Sequence, residues 1–355
     1  MRARRLTRLG LRMLMAWMIA LLWGCASPGP VYRNSDGQVV DKPWSEVMAW
    51  LLQAWYQGLP PPPGRHLQGG QFPVIRDPEV GRDLPVDQLA VTWLGHASTL
   101  IRVGGQRILT DPQFSLRASP LSWAGTARSV PNPYALHELG HIDLVLISHN
   151  HYDHLDEASV LALSRQPGGS PQFIVPQGLE TWFQSRGMGR VQSLGWWQSA
   201  EFGPLQVQAV PASHWSARGL SDHNKSHWAG WVLRAGERSV YFAGDTAYSD
   251  DFKAIRDRVG AVELALLPVG AYEPRTFMKD QHVNPDEAVK IHQDVGARLS
   301  IGIHWGTFEL SDEPLDAPMA TLPAARARAG LPDDAFQLLR HGETRVLPKE
   351  AIASD

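Results

Sequence analysis

The run His149-Asn150-His151-Tyr152-Asp153-His154 places four metal-ligating side chains within six residues. In an extended chain residues 149, 151 and 153 point to one side, and His154 joins them as the chain turns onward. Imidazole nitrogens and a carboxylate are the donors that catalytic zinc takes. Four donors are too many for one ion that must keep a position open, so the spacing points to two ions sharing the loop. Three further donors follow apolar runs that read as strands. His214 comes after 205–210, Asp245 after 239–243 and Gly244, and His304 after 299–303. The plain alternative, a histidine-rich surface loop with unrelated donors elsewhere, needs three independent accidents. Two divalent ions side by side would activate a water between them for hydrolysis. No serine or cysteine nucleophile is then required. The one cysteine, Cys25, excludes an internal disulfide and a thiolate zinc site of the CxxC kind, while 14 histidines turn attention to imidazole.

Two other residues lie at turns beside these strands. Asp111, in Thr110-Asp111-Pro112, either orients the metal loop from behind or is an ordinary turn aspartate. His96, in Gly95-His96-Ala97, could line the groove, and a satisfied core histidine is the expectation. A decoy must be set aside: His137-Glu138-Leu139-Gly140-His141 matches HExxH, the zinc-protease motif. That motif needs a sustained helix. Here Pro131 and Pro133 stand upstream, Gly140 interrupts and a strand follows, so a short helical turn is expected.

The elements that must position these side chains alternate along the chain. Strands are expected at 89–94, 99–103, 106–110, 142–148, 173–175, 205–210, 228–234, 239–243, 264–267 and 299–303. The unbroken apolar run 142–148 marks a strand buried on both faces. Helices are expected at 155–164 and after Asn284-Pro285-Asp286-Glu287, which offers a cap, a first-turn proline and first-turn acids. Strands and helices in both halves, with no internal repeat, suggest two sheets inside and helices outside.

Before residue 89 the chain reads differently. Five arginines up to Arg12 precede an apolar run from residue 13 to 23, as in a secretory signal. Leu22-Trp23-Gly24-Cys25 resembles the bacterial lipoprotein cleavage box, in which the cysteine becomes the lipidated N-terminus. An uncleaved membrane anchor is the alternative. The expectation is a signal peptide at 1–24, an extension at 25–88 and the main folded domain at 89–347. Within the extension, Trp44, Val47, Met48, Leu51 and Trp55 share one face of a helix. That face is expected to pack on the main domain rather than dip into lipid. The formal charge of −3, more negative without the leading arginines, argues against nucleic acid as a partner.

The metal run together with later His, Asp and His resembles the metallo-β-lactamase-fold hydrolases. Longer segments resemble the N-acylphosphatidylethanolamine-hydrolysing phospholipase D family: Trp93-Leu94-Gly95-His96-Ala97, Phe242-Ala243-Gly244-Asp245-Thr246, Gly270-Ala271-Tyr272-Glu273-Pro274-Arg275 and Ile303-His304-Trp305-Gly306-Thr307. The resemblance implies an αββα sandwich with two zinc ions at one edge. It assigns His149, His151 and His214 to one ion, Asp153, His154 and His304 to the other, and Asp245 to both. It implies cleavage of N-acylphosphatidylethanolamine to N-acylethanolamine and phosphatidic acid. The same chemistry on a lactone or smaller phosphodiester, and a non-catalytic metal-binding lipoprotein, are the alternatives. His282, within the most similar region, would steady the phosphate or protonate the leaving alkoxide; otherwise it is a surface histidine before a helix cap. Membrane attachment through lipidated Cys25 and a bacterial-envelope location complete the expectation. Ala26 points to the periplasmic face of the outer membrane.

Overall fold

The side chains of Leu144 and Leu146 pack into one apolar cluster, and that of Val145 packs into another. This period-two division is what a strand covered on both faces requires. The strand is shorter than the apolar run around it. Ile142 N–H donates to Gln166 Oε1 at 3.1 Å and Ser148 N–H to Asp111 Oδ1 at 2.7 Å, so side chains replace the ladder at both ends.

The computed structural model describes residues 31–41, 72–219 and 221–348. The expected signal peptide, Cys25 and the helix at 44–55 lie outside the described residues. The first half contains β1 (Leu89–Gly95), β2 (Ser98–Val103), β3 (Gln106–Thr110), β4 (Arg117–Ala118), β5 (Thr126–Ala127) and β6 (Leu144–Leu146). It continues with α1 (Glu157–Ser164), β7 (Gln172–Pro176), α2 (Glu180–Gln184) and β8 (Val191–Leu194). The second half starts with β9 (Ser199–Phe202), β10 (Leu205–Val210), β11 (Gly230–Ala235), β12 (Arg238–Phe242), α3 (Asp251–Val259) and β13 (Leu264–Pro268). It ends with α4 (Arg275–Met278), α5 (Pro285–Asp294), β14 (Leu299–Ile303), α6 (Ala317–Arg328), β15 (Phe336–Gln337) and β16 (Thr344–Leu347).

Two seven-stranded sheets result, ordered β16-β1-β2-β3-β6-β7-β8 and β9-β10-β11-β12-β13-β14-β15. In each, the first four strands pair antiparallel and the last three join in parallel. The repeat absent from the sequence is present in the topology. Val160 and Leu163 of α1 and Phe183 of α2 cover one sheet. Phe252 of α3, Ile291 of α5 and Leu322 of α6 belong to the cluster of the other. The architecture is the αββα sandwich, two mixed sheets with helices outside.

Helix α5 begins as its sequence predicts. Asn284 Oδ1 accepts from Glu287 N–H and Glu287 Oε2 accepts from Asn284 N–H, each at 2.9 Å, with Pro285 in the first turn. The ends of β3, β6, β10, β12 and β14 deliver Asp111, the 149–154 run, His214, Asp245 and His304 to one edge. Strand carboxyl ends are where open α/β sheets place their ligands.

Candidate metal centre

The loop after β6 can reach the second sheet because of one glycine. A Cβ on Gly244 would lie 2.5 Å from Ser148 Cβ, and its φ of +63° suits glycine. Asp245 thereby sits directly against the metal loop. Four non-glycine residues at this edge also have positive φ: His96 (+52°), Asp111 (+33°), Ala271 (+62°) and His304 (+60°). Each such residue costs roughly 1–3 kcal/mol of backbone strain, borne by the surrounding fold.

Three ring nitrogens converge on the loop's near side. His149 Nε2 lies 2.8 Å from His151 Nδ1, which lies 3.3 Å from His214 Nε2. Two of the opposite nitrogens are held. His214 Nδ1–H donates to Gln281 O at 2.9 Å, and His149 Nδ1–H donates to Ser148 Oγ, also at 2.9 Å. These bonds fix the tautomer that leaves Nε2 free to ligate.

A second set gathers Asp153, His154 and His304, with His96 beside them. His154 Nδ1–H donates to Asp111 Oδ2 at 2.6 Å, leaving Nε2 to face Asp153 Oδ2 at 3.2 Å. Asp245 Oδ2 stands between the sets. It lies 3.0 Å from His154 Nε2 and His304 Nε2, and 3.9 Å from His149 Nε2, His214 Nε2 and His282 Nδ1. Five imidazoles around one buried carboxylate, which the second set joins with Asp153, form a donor set without thiolate that suits a hard-to-borderline divalent metal.

The buried atoms left unpaired test the fit. Of the ring nitrogens that face the other donors, His154 Nε2 is buried without a hydrogen-bond partner, as is the carboxylate oxygen Asp245 Oδ1. Burial holds His149 well below its ordinary value and brings His151 down to about 4 and His214 to about 3. Neutral imidazole is the ligating form. Burial also opposes charge on Asp153 and Asp245, yet the facing imidazoles overcome it and keep both carboxyls well below the usual range. The same pairs act in reverse on His154 and His304. Against burial, Asp245 and Asp153 raise His154 well above its ordinary value and His304 to about 9. The pocket therefore asks for positive charge, as a metal site does.

The structure brings His149, His151, Asp153, His154, His214, Asp245 and His304 together. Asp111 is no solvent-facing turn residue: it is fully buried and accepts from Ser148 N–H, Ser148 Oγ–H and His154. His282 lies at the rim with its side chain 12% exposed, not on the open surface. Burial pushes it down to about 3. His137 and His141 are exposed around a single turn, Leu136–Leu139, away from the centre. His96 was expected to be a core histidine. It is buried, but its Nε2 lies 2.8 Å from Asp153 Oδ2, and its carbonyl accepts from His304 N–H at 2.9 Å. Its glycine-flanked place just past a strand end was the available signal. Sequence reasoning also missed Gln281, which acts through its backbone carbonyl and so leaves no residue-type signal.

Residues 106–305 match the family described as Beta-lactamase superfamily domain. Over 272 residues, 72% of this chain and 75% of the relative, the sequence is 42% identical to N-acyl-phosphatidylethanolamine-hydrolyzing phospholipase D 1 of Caenorhabditis elegans. It is 39% identical over 254 residues to the mitochondrial protein of that name from Saccharomyces cerevisiae, covering 69% of this chain and 53% of the relative. The match thus spans about half of the yeast protein. Among solved structures, Igni18, a metallo hydrolase from Ignicoccus hospitalis, has a TM-score of 0.56 and 21% identity, covering 74% of this chain and 99% of the other. That likeness speaks for the fold.

Proposed function

Since the chain belongs to the metallo-β-lactamase superfamily of metal-dependent hydrolases, we propose that it is a dizinc phosphodiesterase cleaving N-acylphosphatidylethanolamine-type phospholipids to N-acylethanolamine and phosphatidic acid. The observation that carries the two-ion reading is Asp245 Oδ2, between the two donor sets. His149, His151 and His214 would hold one zinc, and Asp153, His154 and His304 the other. Bound there, the ions supply Lewis acidity towards the phosphodiester and activation of water at neutral pH.

The chain's own residues do the rest. Asp111 orients His154 directly and His149 through the Ser148 hydroxyl. His282 is held neutral by burial, and its Nδ1 has no hydrogen-bond partner. Beside the two donor sets, it steadies a phosphate oxygen or protonates the leaving alkoxide. The phospholipid specificity is supported by the names of the relatives.

Attachment to the cell envelope through lipidated Cys25 belongs to the same proposal. No helix among the described residues is long and apolar enough to cross a membrane. Replacing Cys25 by serine is expected to abolish fatty-acid labelling and release the protein from membranes.

The deciding experiment offers metal-replete protein a panel of phospholipids, lactones and nucleotides, with products followed by mass spectrometry. N-acylethanolamine and phosphatidic acid are expected. Lactone or nucleotide turnover without phospholipid cleavage replaces the substrate, and no turnover with zinc bound leaves a metal-binding protein.

A further inference from the structure

The backbone N–H of His214 lies just past the last pairing of its strand. Ser213 still bridges Ala247, whose N–H donates to Ser213 O at 2.7 Å, and Ser213 N–H donates to Thr246 Oγ1 at 2.9 Å. One residue on, His214 is outside any strand yet buried. A buried amide must find an acceptor. It finds one 180 residues away: His214 N–H donates to Asn34 Oδ1 at 3.0 Å. The same oxygen accepts from the Trp228 indole Nε1 at 2.9 Å, and Asn34 is 6% exposed.

The segment carrying Asn34 is docked on both sides of it. Tyr32 N–H donates to Asn224 O at 2.9 Å, and the Tyr32 ring stacks on His227 with centroids 4.6 Å apart. Ser35 Oγ donates to Asp251 Oδ2 at 2.7 Å, and Gly37 N–H closes a turn onto Asn34 O at 2.8 Å. Asn224 in turn cinches the loop beyond His214, accepting from Ser216 N–H at 3.0 Å and donating its own N–H to Ser216 O at 2.7 Å.

We propose that Asn34 is a positioning residue of the metal centre, and that the N-terminal segment is a working part of the site. His214 is fixed at two points. Gln281 O holds its ring, and Asn34 Oδ1 holds its backbone. Without the second hold the backbone rotates about the Ser213 bridge, and Nε2 no longer meets His149 and His151. The inference rests on the reading of His149, His151 and His214 as one ion's ligands. It goes beyond that reading by making the ion's retention depend on a residue far outside the ligand motif.

The test is chelator titration of the zinc-loaded full chain, with hydrogen exchange at the His214 amide as an activity-independent readout. Asn34→Ala is expected to release one zinc at roughly tenfold lower chelator concentration, with faster His214 exchange and the other zinc unmoved. Asn34→Asp restores both, because a carboxylate oxygen accepts from the same two N–H groups. Tyr32→Ala, which loosens the segment and leaves the Asn34 oxygen in place, keeps zinc retention within about twofold of wild type. Equal loss in Tyr32→Ala and Asn34→Ala, loss of both ions together, or no rescue by aspartate overturns the proposal. A wild-type chain that takes up no metal overturns the metal reading and this inference with it. Normal uptake with an indifferent Asn34→Ala variant overturns this inference alone.

Discussion

The two donor sets differ in how their imidazoles are held. In the set of His149, His151 and His214, the supporting groups are a serine hydroxyl, a backbone carbonyl and the side-chain amide of Asn34. Around Asp153, His154 and His304 the supports are ionisable. Asp111 takes the His154 ring, and His96 meets Asp153. The first set is a group of neutral nitrogens kept neutral by burial. In the second, Asp245 and Asp153 outweigh burial and raise His154 and His304 above their ordinary range, so the pocket favours a cation. Neutral supports fix geometry. An acidic support such as Asp111 also bears on how strongly a cation is drawn in.

The severest way to break the contrast is to remove the carboxylate that both sets share. Asp245→Ala is expected to lose both ions and reduce turnover to background, checked by elemental analysis and phosphodiester assay. Retention of a full metal complement would show the sets to be independent. Next comes the residue that belongs to neither set. His282→Ala should keep both ions and lower kcat on the order of 10²-fold, as removal of one preorganised donor does. A rate within a few-fold of wild type returns His282 to a bystander role, and lost metal makes it a ligand.

Asp111→Asn sharpens the comparison from behind the ligands. It places an amide against the His154 Nδ1–H and is expected to weaken retention of the second ion by about 10–100-fold in chelator competition. The first ion should follow only as far as the Ser148 hydroxyl transmits the change. His96→Ala removes one contact to Asp153 and should loosen the same ion roughly tenfold, the low end of that range. The smallest expected effect is none: His137→Ala and His141→Ala leave metal content and turnover unchanged. A lost zinc in either variant revives the HExxH reading.

The sequence made the centre of each sheet legible and left the edges dark. β8 and β16 edge one sheet, β9 and β15 the other, and none of the four was expected. Edge strands are covered on fewer sides, so they lack the apolar run that betrays β6. Val191–Leu194, for example, buries only Leu194. The candidate donors were legible because they lie just past apolar strands and have side chains of ligating type. Their supports were not. Gln281 acts through a carbonyl that any residue carries, His96 looks like any histidine in a turn, and Asn34 contacts a residue 180 positions away. The histidines of 137–141 had the right types, but their turn is too short to present both on one face.

The docking of Asn34 also sets a reach. With Cys25 acylated as proposed, eight residues lie between the lipid-bearing cysteine and Asn34, which is hydrogen-bonded to His214. Even fully stretched they span about 30 Å. The centre then works within a thin shell above the leaflet that anchors it and samples the lipids of that leaflet at a local concentration fixed by the tether. Turnover would follow the surface fraction of substrate in the membrane rather than its bulk concentration. Enzyme and substrate in separate vesicles should react far more slowly than the two in one.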